Sequence, residues 1–147
     1  MTIAVNIAII VSACAAVAAL AITVAVHLHG LKREIKLDTL NKYYAIRSTK
    51  VDKNSSEESK KEFLIELEYF AVGINKKVYD IEILARVGGQ RLLRIYHGWV
   101  EEFIKKRRNK YIPPRKSAYR EIDIMMQNLS DRVGKYCLDS EDAFIAK

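Results

Sequence analysis

The hydrophobic and polar positions divide the chain into one long apolar stretch followed by amphipathic segments. Residues 3–26, IAVNIAIIVSACAAVAALAITVAV, hold no charge, and their only clearly polar side chains are Asn6, Ser12 and Thr23. A helix of this length, at about 1.5 Å per residue, measures about 36 Å, enough to cross a hydrocarbon core about 30 Å thick with some tilt. In lipid the backbone must satisfy its own hydrogen bonds, which makes a spanning segment of this kind a helix. Its Ile, Val and Leu residues each favour insertion by about 0.3–0.6 kcal/mol. No basic residue precedes the stretch, and it exceeds the roughly 7–15 apolar residues of a cleaved signal peptide. The pattern predicts a retained anchor over 1–30.

Beyond the anchor the apolar positions recur at helical spacing. Leu31, Ile35, Leu37, Leu40 and Tyr44 predict a juxtamembrane helix over 27–47, with Gly30 a candidate kink. The polar run STKVDKNSSEESKK at 48–61 predicts a linker that ends in a helix start. Ser55 or Ser56 is placed to cap it, and Glu57 and Glu58 suit the positive end of the helix dipole. Phe63, Leu67, Phe70, Ala71 and Ile74 predict a helix over 56–75, closed at Gly73 or Asn75. Asp80 caps a short helix, IEILARV, which Gly88 and Gly89 should end. A stronger helix is predicted over 90–110, with Leu92, Ile95, Tyr96, Trp99, Val100 and Phe103 as its apolar stripe. Gly98 in mid-helix costs about 1 kcal/mol against Ala, unless it serves close packing. Pro113 and Pro114 predict a loop. Tyr119, Ile122, Met125, Met126, Leu129 and Val133 predict a last helix over 116–136. No alternating strand pattern and no repeat occurs. The expected fold class is all-α: a transmembrane helix, a juxtamembrane helix and linker over 31–54, a small cytoplasmic helical bundle over 55–138 and a tail over 139–147.

The flanks and the net charge of +7 add location. Lys32, Arg33 and Lys36 follow the span and no basic side chain precedes it, so the positive-inside rule puts the N-terminus outside and the C-terminal domain in the cytoplasm. Anionic lipid is then the nearest partner for the basic surplus. Cys14 lies in the span and Cys137 near the C-terminus, so no disulfide is expected, and neither sits in a metal-binding spacing. His27 and His29, two residues apart, point to different sides of a helix, and no further ligand lies nearby. Ala8, Ser12 and Ala16, with Ala15 and Ala19, give small-xxx-small spacings that suit self-association of the anchor.

The one concentrated basic run is Lys105, Lys106, Arg107, Arg108, Lys110, Arg115, Lys116 and Arg120, with Tyr111 and Tyr119 interleaved and no acid among them. Its first seven members are the expected contact with an anionic surface, lipid or an acidic protein, with a solvated helix end and loop as an equal alternative and nucleic acid as the less favoured partner. Arg91 and His97 share the Arg-x5-His spacing of the all-α ribonucleases of the HEPN class, where the arginine steadies phosphate and the histidine acts in cleavage. The resemblance is to that spacing alone, which chance supplies in a chain of this composition. Leu92 stands where the family often has a polar residue, and a helical pair between His97 and Glu101 is the favoured account of the histidine. No phosphate-binding glycine loop, dinucleotide fingerprint, HExxH or GxSxG is present. No catalytic, cofactor-binding or metal-ligating residue is therefore assigned.

The stretches LDTL at 37–40, FLIELEYFAVGINKKVYDIEIL at 63–84 and RIYHGWVEEFIKKRR at 94–108 resemble the domain of unknown function 4760 family, small membrane proteins of bacteria and prophages. The resemblance covers roughly residues 32–130. It implies an N-terminal anchor with a helical cytoplasmic domain and supplies no catalytic residues. The expected function is a non-enzymatic scaffold or regulator at the cytoplasmic face of the inner membrane, acting through a protein partner or as a homo-oligomer. The alternatives are a membrane-tethered nucleic-acid binder or HEPN-like ribonuclease using Arg91 and His97, and an oligomerising membrane protein in phage defence or superinfection exclusion.

Overall fold

The structure is a computed structural model that describes the backbone of residues 2–110 and 118–145 and the side chains of 14–110 and 118–134. The described residues are helical, with turns and no strand. Helix α1 spans Thr2–Ser48 and α2 spans Glu57–Asn75. Five segments then run head to tail over residues 81–110 as one composite helix, α3: Ile81–Leu84, a π turn at Ala85–Gly89, Gln90–Ile95, a second π turn at Tyr96–Val100, and Glu101–Lys110. The residues at their junctions keep right-handed helical dihedrals, so the chain does not break between them. Helix α4 spans Arg120–Ile145, further than the expected end near 136. The chain divides into two compact units, 1–35 and 36–147.

In the first unit every side chain from Cys14 to Glu34 is exposed. Val17, Leu20, Ile22 and Val26 each present about two thirds of their surface. The described residues contain one helix long and apolar enough to cross a membrane. Thr23 donates its hydroxyl to the Ala19 carbonyl at 2.9 Å, which satisfies the side chain within the helix. The helix passes through Gly30 without interruption.

In the second unit residues 36–48 of α1, with α2, α3 and α4, share one apolar core. Helix α2 starts as its sequence dictates, with the Ser56 hydroxyl accepting from the Ser59 amide at 3.1 Å. It buries Phe63, Leu64, Leu67, Phe70, Ala71 and Ile74. Asp80 caps α3 by accepting from the Glu82 amide at 2.8 Å. Its own amide donates to Thr39 Oγ1 at 2.8 Å, and Thr39 is fully buried on α1.

The buried face of α1 is Thr39, Tyr43 and Ile46, not the expected row of Leu31, Ile35, Leu37, Leu40 and Tyr44. Leu31, Leu37 and Tyr44 are about half exposed, and Ile35 and Leu40 are intermediate. A hydroxyl bonded to a backbone amide is admissible in the core, so the true stripe contains a threonine that an apolar pattern passes over.

Gly88 and Gly89 do not end a helix. They sit inside the first π turn and are both buried. A Cβ at Gly88 would fall within the Tyr43 ring, and one at Gly89 would lie 2.6 Å from a Val133 methyl. The glycines are where α1 and α4 press closest on α3.

On α3 the buried residues Leu84, Gly88, Leu92, Tyr96, Val100 and Ile104 recur at a strict spacing of four, with buried Ala85 and Gly89 beside them. In an unbroken α-helix each such step drifts about 40°, so the last position would stand about 200° from the first. A π turn inserts one residue, which offsets about 100°. Two π turns cancel the drift and keep the whole stripe on the core. Ile95, Trp99 and Phe103 of the expected stripe lie at its edge, partly buried. A Cβ at Gly98 would meet nothing within 4 Å, so close packing is not its role.

Candidate functional site

The basic run at the end of α3 is provided with acids by the fold. Lys105 Nζ lies 2.6 Å from Glu101 Oε1, and His97 Nδ1 lies 3.1 Å from Glu101 Oε2. The Lys105 ammonium first, and His97 second, hold the Glu101 carboxyl below the usual carboxylate range. Lys106 stands 2.7 Å from Glu102 and lowers its pKa in the same way. Arg107 Nη1 approaches Glu57 at 4.0 Å. Arg108 is more deeply engaged: its Nε donates to the Ala118 carbonyl at 2.7 Å and its Nη2 to Asp123 at 2.6 Å. The other Asp123 oxygen accepts from the Tyr96 hydroxyl at 2.8 Å. Arg108 therefore fastens the start of α4 to α3. Lys110 is exposed. Arg115 and Lys116 lie outside the described residues, as does the predicted loop at 111–114.

Arg91 and His97 take different surroundings. Arg91 lines a cleft, whereas His97 is about two thirds exposed, pairs with Glu101 and lines no part of that cleft. The spacing that suggested a ribonuclease pair does not bring the two together there.

The cleft is the larger finding. It has a volume of about 1140 Å³ and opens between the turn after α1 and the first π turn of α3. Arg47, Lys50, Arg86, Arg91 and Arg94 line it, with Asp52 as its one acid. Asp52 is occupied by its own turn, accepting from the Asn54 amide at 2.8 Å and the Ser55 hydroxyl at 3.1 Å. Those bonds, the Asn54 amide foremost, hold its carboxyl below the ordinary range. Val87, Ile95, Val51 and Val133 form an apolar wall. A recess of about 70 Å³, lined in part by Tyr43, Phe63 and Leu92, adjoins the cleft and shares Arg47, Lys50 and Arg91 with it.

Sequence reasoning missed this cluster because its members lie in two separated segments, each unremarkable in charge. The signal that was present is the spacing of Arg86, Arg91 and Arg94. In an α-helix residues five apart stand about 140° from each other, but a turn closed by i→i+5 bonds brings them nearly into line. Arg94 follows Arg91 by three residues and shares its face. Among the described residues no group of three or more His, Cys, Asp or Glu is placed to hold a metal ion.

No protein-family model matches the chain, and no curated protein and no solved structure matches it either.

Proposed function

We propose that the chain is a single-pass protein of the bacterial inner membrane, with its N-terminus outside and a cytoplasmic helical bundle that acts as a non-enzymatic scaffold or regulator. The observation that carries the reading is the wholly exposed apolar surface of α1 from Cys14 to Leu31, which water does not stabilise and a bilayer would. The basic residues after the span, Lys32, Arg33 and Lys36, support the orientation. Exposed Lys110, together with Lys105 and Lys106, whose exposed pairs with glutamates are weak, supports contact with anionic headgroups or an acidic partner. Arg107 and Arg108 contribute less to such a surface, because their side chains are largely withdrawn into the fold. The resemblance to the domain of unknown function 4760 family belongs to the same proposal.

The test is native mass spectrometry of the full-length chain extracted in native lipid, with co-extracted species identified. A monomer or small oligomer carrying a second protein supports the scaffold or regulator. Recovery of the chain in the soluble fraction after cell lysis, without lipid, overturns the anchor.

A further inference from the structure

We propose that the cleft between the turn after α1 and the first π turn of α3 binds a small organic phosphate, a molecule of about nucleotide size with phosphate charge at one end and an apolar part at the other. The inference goes beyond the anchoring role and does not depend on it.

Charge is the first argument. Elsewhere in the domain several basic side chains hold carboxylates: Lys42 with Glu66, Lys61 with Glu58, Lys105 with Glu101, Lys106 with Glu102, Arg108 with Asp123 and Arg132 with Glu82. Four of the five basic residues around the cleft hold none. Among the described residues no carboxylate lies within ion-pair distance of Arg47, Lys50, Arg91 or Arg94, and Asp52 is spent on its own turn. Like charges gathered within about a Debye length repel, and a multivalent anion would relieve that repulsion. Guanidinium groups match phosphate oxygens in pairs of parallel N–H bonds, which favours phosphate over a simple halide or carboxylate.

The backbone is the second argument. The first π turn forms one wall of the cleft, and π turns occur frequently at functional sites. This one aligns Arg86 with Arg91. It is held in place by Tyr43 against Gly88 and by Val133 against Gly89, so the arginines project from a fixed support.

Shape is the third. A volume of about 1140 Å³ is slightly above the range of ordinary ligand sites, roughly 300–1,000 Å³, and far exceeds what a lone inorganic anion needs. The apolar wall and the adjoining recess behind Arg47 and Arg91 give a ring or short hydrocarbon part a place to sit.

Phosphate of this kind comes either from a soluble nucleotide or from a lipid headgroup, and the experiment separates them. The full-length chain is placed in phosphatidylcholine nanodiscs and titrated calorimetrically with ADP and with pyrophosphate. In parallel, the chain is placed in nanodiscs that mix phosphatidylcholine with phosphatidylglycerol, and retention of phosphatidylglycerol is read by native mass spectrometry. The variants are R91Q/R94Q, R94Q alone, and K105Q/K106Q, which removes the same charge elsewhere. Saturable binding of ADP, weakened tenfold or more by R91Q/R94Q, weakened by R94Q and unmoved by K105Q/K106Q, supports the proposal with a soluble source. The same pattern for retained phosphatidylglycerol, without ADP binding, supports it with a lipid source. Equal weakening by both double variants means a diffuse charge effect and overturns it. So does the absence of binding to all three probes, or binding that survives R91Q/R94Q in a chain whose circular dichroism matches the wild type.

Discussion

The Tyr96 hydroxyl donates to Asp123 Oδ1 at 2.8 Å, while Arg108 holds the opposite oxygen of the same carboxylate at 2.6 Å. One acid at the start of α4 thus joins two points on α3 that lie twelve residues apart. Burial first, and the bond to Asp123 second, push the Tyr96 phenol well above its ordinary pKa of 10.0. A phenol that resists ionisation in the folded chain stabilises it fully below the unfolded pKa. Above that pH the unfolded state sheds its proton and gains the advantage. Stability should fall as the pH rises above about 10. Tyr96→Phe should lose about 1–2 kcal/mol at neutral pH and flatten the alkaline decline. Denaturant midpoints across pH 7–11 for the two chains check both effects.

Gly88→Ala puts a methyl group into the Tyr43 ring. The expected cost is about 1–3 kcal/mol, the usual range for overpacking. Shortening Tyr43 to alanine should remove most of that increment, so the double variant is less destabilised than the sum of the singles. Thermal unfolding of the four chains gives the coupling. Strict additivity would show that the close approach is not what Gly88 provides.

At Gly98 the reverse holds. A Cβ there meets open space, and the residue lies within a helix. Gly98→Ala should stabilise the domain by about 0.5–1 kcal/mol, read as a raised unfolding midpoint. A loss would mean that the second π turn needs the glycine backbone itself.

Removing Gly98 altogether tests the account of the π turns. With one residue fewer, Tyr96–Val100 can close as an ordinary α-helical turn and leave Val100 and Ile104 on the core. The deletion should unfold cooperatively at a midpoint near that of the wild type. An alanine inserted after Gly98 should instead rotate Val100 and Ile104 off the core by about 100° and lose most of the cooperative transition.

A charge within the exposed apolar surface of α1 addresses the membrane. Val17→Arg should oppose insertion by about 2.5–3.5 kcal/mol. Cell fractionation should then find more of the chain outside the membrane pellet. An unchanged distribution would count against insertion of this segment.

Much of this fold was legible from residue pattern. Ser56 and Asp80 are caps with short oxygen side chains, and the stripes of α2 and α4 follow an unbroken 3.6 period. The face of α1 was not legible, because Thr39 is a core position that looks polar. Nor was the continuity of α3. Two adjacent glycines are ordinarily a stop signal, and only the packing of Tyr43 and Val133 reveals them as contact points. The basic run was visible, with Glu101 and Glu102 one turn before it, but the acids that meet Arg107 and Arg108 were not, since Glu57 and Asp123 come from other helices. The cleft was the least legible feature, because Arg47 and Lys50 join Arg86, Arg91 and Arg94 only through the tertiary fold.

The two π turns also bear on descent. Each is one residue more than the core of α3 requires, so each marks a place where a single codon could be lost while the buried stripe stays in phase. A relative of this protein that carried one such change would keep the same core. Its aligned sequence would nonetheless show a gap in mid-helix, at a position where gaps are ordinarily taken to mean a loop.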